Sequence, residues 1–310
     1  MFVREMQDGC EVEQVLLVRA VQPRDDHLRF TLADRTGSLS AVACDGLGHA
    51  RPGTLVWVRG RLGGGELVVA AMRPAETGEY ELADLLDGPA KPVEALERDL
   101  REVVATIQDP QLLRLLDSLL GEGSETWRAY RDGPAAKRYH QAYSHGLLEH
   151  SVGVAKGVHL ICGTFPGIDH DVAVTGALLH DIGKLEAYGT VGHAIDLTDA
   201  GKLQGEIPLG YYRVRRAIEE LDGFPEDLAQ AVLHIILSHH GSLEHGSPVV
   251  PCTREATLVH AIDNLGGKLG SFDRLEKELA DGQRWSSFDR AIGTGAFFAA
   301  PAAVDEAAAA

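Results

Sequence analysis

His180 and Asp181 stand side by side at the end of an apolar run, ValAlaValThrGlyAlaLeuLeuHisAspIleGlyLys, residues 172–184. Burying an imidazole beside a carboxylate in such surroundings is costly unless both find partners. A divalent cation would satisfy both, and this donor set suits Mn, Fe, Co or Zn better than an all-oxygen site would. Ligand-type residues recur in three similar settings. His150 follows Leu147-Leu148-Glu149 and leads Val154, Val158 and Ile161 on its own face. His239 and His240 close a run in which Leu228, Val232 and Ile235 share a stripe with His239. Asp263 lies inside ThrLeuValHisAlaIleAspAsnLeu, residues 257–265. Any one of these alone reads as a hydrogen-bonded core residue. Four such elements in one helical region point instead to a shared ion.

The elements that must position these residues follow from pattern. From Ala135 to about Leu279 the spacing predicts helices punctuated by Gly and Pro, with no strand. Residues 93–120 read as helices too, with Leu96, Leu100, Val103 and Val104, then Leu112, Leu113, Leu116 and Leu119, at helical spacing. Between Glu11 and Arg73 the pattern is instead short and β-like. Candidate strands are Val12–Val18, Leu28–Leu32, Ser38–Ala43, Leu55–Val58 and Leu67–Ala71, separated by turn signals at 23–26, 34–37, 45–48, 52–53 and 63–65. Five short strands suit a small barrel of the OB type, with a generic β-domain as the bland alternative. The expected organisation is an OB-like, nucleic-acid-binding domain over 1–75 and a linker with connecting helices over 76–125. An all-α domain over 126–290 and an Ala-rich tail over 291–310 complete it.

Bulk properties narrow the class. Cys10, Cys44, Cys162 and Cys252 match no zinc or redox spacing and read as reduced cysteines of a cytoplasmic protein. No apolar stretch approaches the roughly 20 residues that cross a bilayer, and the opening MetPheValArgGluMetGlnAspGly lacks a secretory pattern. The net charge of −17 excludes a simple basic DNA coater. Residues 1–75 nevertheless balance nine Arg against nine acids, and a bound divalent ion would reverse the sign locally.

The order His150, His180-Asp181, Asp263 resembles the HD superfamily of metal-dependent phosphohydrolases. The resemblance sharpens over AlaAlaLysArgTyrHis (135–140), GlyLeuLeuGluHisSer (146–151), LeuLeuHisAspIleGlyLys (178–184), SerHisHisGly (238–241) and HisAlaIleAspAsnLeu (260–265). These segments are similar to the YhaM family of 3′–5′ exoribonucleases, which join an OB-fold to an HD domain. PheThrLeuAlaAspArgThrGly, residues 30–37, is similar to its OB strand and turn. The likeness runs from about Glu11 to Leu279. One departure is Glu206, where that family usually has His; a carboxylate there either keeps a second ion with harder character or marks a one-ion site.

The resemblance implies a fold of OB-like barrel followed by an HD domain, and a metal-dependent 3′–5′ exonuclease acting on single-stranded RNA, with DNA as a further substrate. His150, His180, Asp181 and Asp263 are then the primary shell, with Asp181 able to bridge two ions. His239, His240 and Glu206 are expected at a second ion or at phosphate. Manganese is the expected ion, with Co, Fe, Zn or Mg as alternatives and one or two ions per site. Lys184, three residues after Asp181 on a continuing helix, would share its face and hold a phosphate oxygen; a surface lysine is the plain alternative. Asp181 and Lys184 are thus the expected catalytic pair. Lys137, Arg138 and His140 are expected phosphate contacts. Arg213, Arg215 and Arg216 beside Tyr211 and Tyr212 read equally as a base-stacking rim or a solvated helix face. Phe30 and Trp57 are the barrel's obvious aromatics, for stacking or for the core. No membrane association is expected, and a homo-oligomer is left open. Two other readings use the same residues: an HD phosphohydrolase of nucleotides or cyclic nucleotides, and a non-catalytic nucleic-acid-binding protein.

Overall fold

A computed structural model of the chain describes residues 1–24, 27–44, 50–137, 141–279 and 282–299. Short apolar segments make five strands: β1 (Glu11–Pro23), β2 (His27–Asp34), β3 (Gly37–Cys44), β4 (Leu55–Gly63) and β5 (Glu66–Pro74). They close a barrel in the order β1-β2-β3-β5-β4, with β4 returning to β1 and β3 parallel to β5. Inward positions Val12, Leu16, Val18, Phe30, Leu32, Val56, Val58 and Leu67 fill its interior. Phe30 is therefore core. Trp57 is half-buried on the outside beneath the Arg73 guanidinium, which is also held by Glu79.

Short α1 (Leu82–Leu85) leads into α2 (Val93–Val104) and α3 (Pro110–Leu120). Asp109 starts α3 by accepting from the Gln111 and Leu112 amides, with Pro110 at the first turn. Then come α4 (Trp127–Asp132), α5 (Gly146–Cys162), α6 (His170–Leu179) and α7 (Lys184–Ala187). A hairpin, β6 (Tyr188–Val191) with β7 (Ala194–Leu197), interrupts the helices. The expectation of no strand between 135 and 279 fails here: four-residue strands offer too few positions for a period to show. The hairpin tip docks on the barrel, where the His193 amide donates to the Gly53 carbonyl at 2.9 Å.

Helices α8 (Asp199–Gln204), α9 (Glu206–Glu219), α10 (Glu226–Ser238) and α11 (Arg254–Glu278) complete the bundle. A last hairpin, β8 (Trp285–Asp289) and β9 (Thr294–Phe297), follows, so regular structure runs past 290. Residues 300–310 of the expected tail lie outside the described residues. Leu112, Leu115, Leu116, Leu147, Leu148, Leu178, Val232, Ile235 and Val259 belong to one apolar core joining α3, α5, α6, α10 and α11. His150, His180 and His239 lie near the ends of these core helices, and Asp263 lies within α11.

Candidate metal centre

Within that apolar core four residues of metal-ligand type are buried: His150 is 5% exposed, His180 1%, Asp181 3% and His239 1%. His150 lies in the first turns of α5, and His180 caps α6. Helix α6 stops at Leu179, so the run 172–184 is not one continuous helix. Turns then carry Asp181 to Lys184, and the lysine still reaches back, its Nζ 2.7 Å from Asp181 Oδ2. Gly183 makes that turn compatible with α9, because a Cβ there would lie 1.9 Å from the Glu206 carbonyl oxygen. The close approach brings Glu206 to the same chamber. At the end of α10, Gly241 adopts φ +82°, and a Cβ on it would meet the His260 ring at 2.1 Å. His260 Nδ1 in turn donates to the His239 carbonyl at 2.7 Å.

Two groups of donor atoms result. His150, His180 and Asp263 form one, and Glu206, His239 and His240 the other, each with its atoms within 4.8 Å of one another. In the first, His150 Nε2 lies 3.2 Å from His180 Nε2 and 3.1 Å from Asp263 Oδ1. Asp181 stands between the groups. Its Oδ2 is 3.1 Å from His150 Nε2 and 3.3 Å from His180 Nε2, whereas its Oδ1 faces His239 Nε2 at 3.5 Å. In the second group His240 Nε2 is 3.3 Å from Glu206 Oε1.

The outer nitrogens fix how the rings present themselves. His180 Nδ1 is 2.7 Å from the Ala177 carbonyl and His239 Nδ1 2.8 Å from that of Ile236. His240 Nδ1 is 2.9 Å from the His245 carbonyl, and His150 Nδ1 3.1 Å from Gln141 Oε1. Each of these oxygens can only accept, so each Nδ1 carries the proton and each Nε2 turns a lone pair inward. Inward lone pairs beside carboxylate oxygens need a cation among them. Asp181 Oδ1 and His239 Nε2 make the same point: among the described residues neither buried atom has a hydrogen-bond partner. Imidazole nitrogens with carboxylates in this arrangement fit a divalent ion of the Mn, Fe, Co or Zn kind.

Without an ion, protons take over part of that role. Burial opposes charge on His180, but Asp181 and Asp263 together outweigh it and lift the pKa to about 10. His150 is raised in the same way, its burial outweighed by the same two carboxylates. Burial pushes His239 down. Asp181 stays well below the usual carboxylate range because Lys184, His180 and His150 overcome its burial. Asp263 is held down likewise by His150 and His180. For Lys184, burial is outweighed by Asp181 and Glu206, which hold the ammonium above its ordinary value.

Other expected contacts fare differently. Lys137 Nζ pairs with Asp196 Oδ1 on β7 at 2.6 Å, while Arg138 and His140 lie outside the described residues. Arg213, Arg215 and Arg216 pair with Glu186, Glu219 and Glu220, so they read as a paired helix face. Sequence reasoning missed Gln141. It holds φ 59°, rare for a residue with a side chain, and its amide nitrogen is 3.4 Å from Glu149, which also accepts the Ala90 amide. It missed Tyr188 as well, a half-buried phenol whose pKa is raised by burial and then by Glu206. Neither residue sits in an apolar run that would have flagged it.

The HD domain family matches residues 147–267. A "3′-5′ exoribonuclease YhaM" of Shouchella clausii (strain KSM-K16) is 31% identical over 235 residues, 74% of this chain and 70% of its own length. Its namesake from Geobacillus sp. (strain WCH70) is 29% identical over 291 residues, 89% of this chain and 88% of its own. Among solved structures, a chain of a replication protein A heterotrimer bound to ssDNA matches at 19% identity over 24% of this chain and 64% of its own. Its TM-score is 0.21, too faint a likeness to bear on function.

Proposed function

The chain belongs to the YhaM 3′–5′ exoribonuclease family, and on that footing we propose that it is a metal-dependent exonuclease shortening single-stranded RNA from the 3′ end. The observation that carries the metal-dependent half is the set of four histidines. Every Nδ1 is tied to an oxygen acceptor; the Nε2 atoms of His150, His180 and His239 gather around Asp181, and that of His240 faces Glu206. Direction and substrate rest on family membership, with single-stranded DNA as a secondary substrate.

In this reading His150, His180 and Asp263 hold one ion and His239, His240 and Glu206 a second, with Asp181 shared. Manganese is the proposed metal. A divalent ion so held acts as a Lewis acid toward phosphoryl oxygens and acidifies water. The chain's own residues do the rest. Fixed Nδ1 anchors keep the rings from turning, so the donor set is assembled before substrate arrives. Lys184 keeps its charge at neutral pH and lies among Asp181, Glu206 and Asp263, where an ammonium orients a non-bridging phosphate oxygen. The barrel, joined to the centre through the β6–β7 hairpin, supplies a second body for holding a polymer. Cys10, Cys162 and Cys252 are free thiols, which fits a reducing, cytoplasmic setting.

The test is a 5′-labelled single-stranded RNA and its DNA counterpart, incubated with Mn²⁺ or with chelator, for the wild-type chain and His180→Ala/Asp181→Ala. A ladder shrinking from the 3′ end, lost with chelator and in the double variant, is expected. Undiminished cleavage in chelator, or hydrolysis of mononucleotides without any cleavage of polymers, would overturn the proposal.

A further inference from the structure

The hairpin β8–β9 turns three aromatic rings to solvent on one face. Trp285 pairs with Phe297 and Phe288 with Gly295 in the ladder. Gly295 and Phe297 are two residues apart, so all three rings lie on the same side. Trp285 is 61% exposed, Phe288 69% and Phe297 45%, while Ala296, on the other side, is buried. Trp285 and Phe297 pack with their rings tilted by 50° at 5.0 Å between centroids, and the Arg284 guanidinium lies 4.6 Å over the Phe297 ring. Scattered surface hydrophobics need no explanation, but a contiguous aromatic plate marks a binding surface.

The plate's charge and position say what it fits. Asp289 is neutralised by Arg274 at 2.5 Å, which leaves Arg284 and the exposed Arg290 as a cationic excess on a chain of net charge −17. Arg274 projects from α11, the helix that carries Asp263. Asp263, Gly267, Gly270 and Arg274 follow one another at i, i+4, i+7 and i+11, which puts them on one helix face. Gly267 and Gly270, both half-buried, put no side chain along that line between the metal centre and the hairpin. Three turns of helix separate its ends, about 16 Å, or about five stacked nucleotides at ~3.4 Å each.

We infer that this hairpin is a stacking platform for single-stranded nucleic acid, receiving the bases about five or more nucleotides upstream of a 3′ end lodged at the metal centre. Aromatic rings flanked by arginine bind successive bases irrespective of sequence, since every base has a π-face. The inference rests on the proposed exonuclease reading, and it adds a length dependence: short oligonucleotides never reach the plate.

The experiment uses the full chain and two RNAs, a 3-mer and a 12-mer. Binding of fluorescein-labelled 12-mer is measured in chelator, and hydrolysis of both RNAs in Mn²⁺. Phe288→Ala is expected to weaken 12-mer binding about tenfold, and Trp285→Ala/Phe288→Ala/Phe297→Ala more. The kcat/KM for the 3-mer is unchanged in both, and Trp285→Phe and Phe288→Tyr retain wild-type 12-mer binding. A triple variant with the wild-type melting temperature and ion content that still binds the 12-mer as the wild type does overturns the platform. So does a halved mass by light scattering for that variant, because a second copy of the chain would then be the plate's occupant. A wild-type chain that hydrolyses neither RNA defeats the exonuclease reading instead, and 12-mer binding in chelator still tests the plate.

Discussion

Two buried aspartates, one in each half of the molecule, show how little burial alone says. Asp34 of the barrel is 2% exposed and Asp181 of the helical bundle 3%. Asp34 Oδ2 accepts the Val3 amide at 2.6 Å, and its Oδ1 the Thr36 amide at 2.7 Å and hydroxyl at 2.6 Å, so the carboxylate ties the N-terminal segment to a turn. Among the described residues Asp181 instead leaves Oδ1 without a hydrogen-bond partner, facing an equally unpartnered His239 Nε2. A satisfied buried carboxylate is architecture. An unsatisfied one opposite an inward imidazole lone pair marks a place for a ligand.

The sharpest way to break that comparison is to remove each carboxylate. Asp181→Ala should reduce RNA hydrolysis to the level seen in chelator. In the ion-free chain it should also lower the unfolding free energy by about 3–5 kcal/mol, because Lys184 and the histidines lose their counter-charge; urea unfolding reads this. Asp34→Ala should cost about 1–3 kcal/mol by stranding the Val3 and Thr36 donors, while ion affinity stays at the wild-type value. An Asp34→Ala chain that lost its ions, or an Asp181→Ala chain that kept them and its activity, would erase the distinction.

A subtler probe is Gln141, whose side chain belongs to neither donor group and meets the His150 ring and Glu149. Gln141→Leu should weaken Mn²⁺ affinity about 10- to 100-fold with little change in melting temperature; an unchanged affinity by calorimetry would show that the ring needs no such anchor.

The pH dependence separates the two halves further. His180 is raised to about 10 from an unfolded value near 6.5. In the ion-free chain its contribution to stability is therefore complete below about pH 6.5 and disappears as pH rises to about 10. Ion binding must displace that proton, so apparent affinity should fall on acidification, by up to about tenfold per pH unit for each proton released. Calorimetry in buffers of differing ionisation enthalpy would detect the release, and affinity independent of pH from 6 to 8 would contradict it. The smallest effect is expected of Lys137→Ala, which breaks an exposed pair with Asp196 and should shift stability by less than about 1 kcal/mol.

Much of this architecture is legible in the residues, for identifiable reasons. Short apolar segments set off by turn signals revealed all five barrel strands, though their ends ran further than the apolar positions, to Pro23 and Pro74. His150, His180, Asp181, His239 and Asp263 stood out because polar groups in apolar helical runs demand partners. The break after Leu179 did not show, since tertiary contacts at Gly183, not a local stop signal, turn the chain there. Gln141 was invisible for a related reason. Its role depends on a left-handed backbone and on an approach to His150 that no periodicity records. The aromatic hairpin beyond Leu279 escaped because Trp285, Phe288 and Phe297 share a face only once the strand pairing, with its bulge, is known.

The most direct test of the central claim, two donor groups joined by Asp181, is the number of manganese ions per chain measured by mass spectrometry after dialysis. Two ions are predicted for the wild type and one for His239→Ala/His240→Ala, with RNA cleavage lost in that variant. A wild-type chain that holds no ion yet degrades RNA, or a variant that still holds two, would contradict the account.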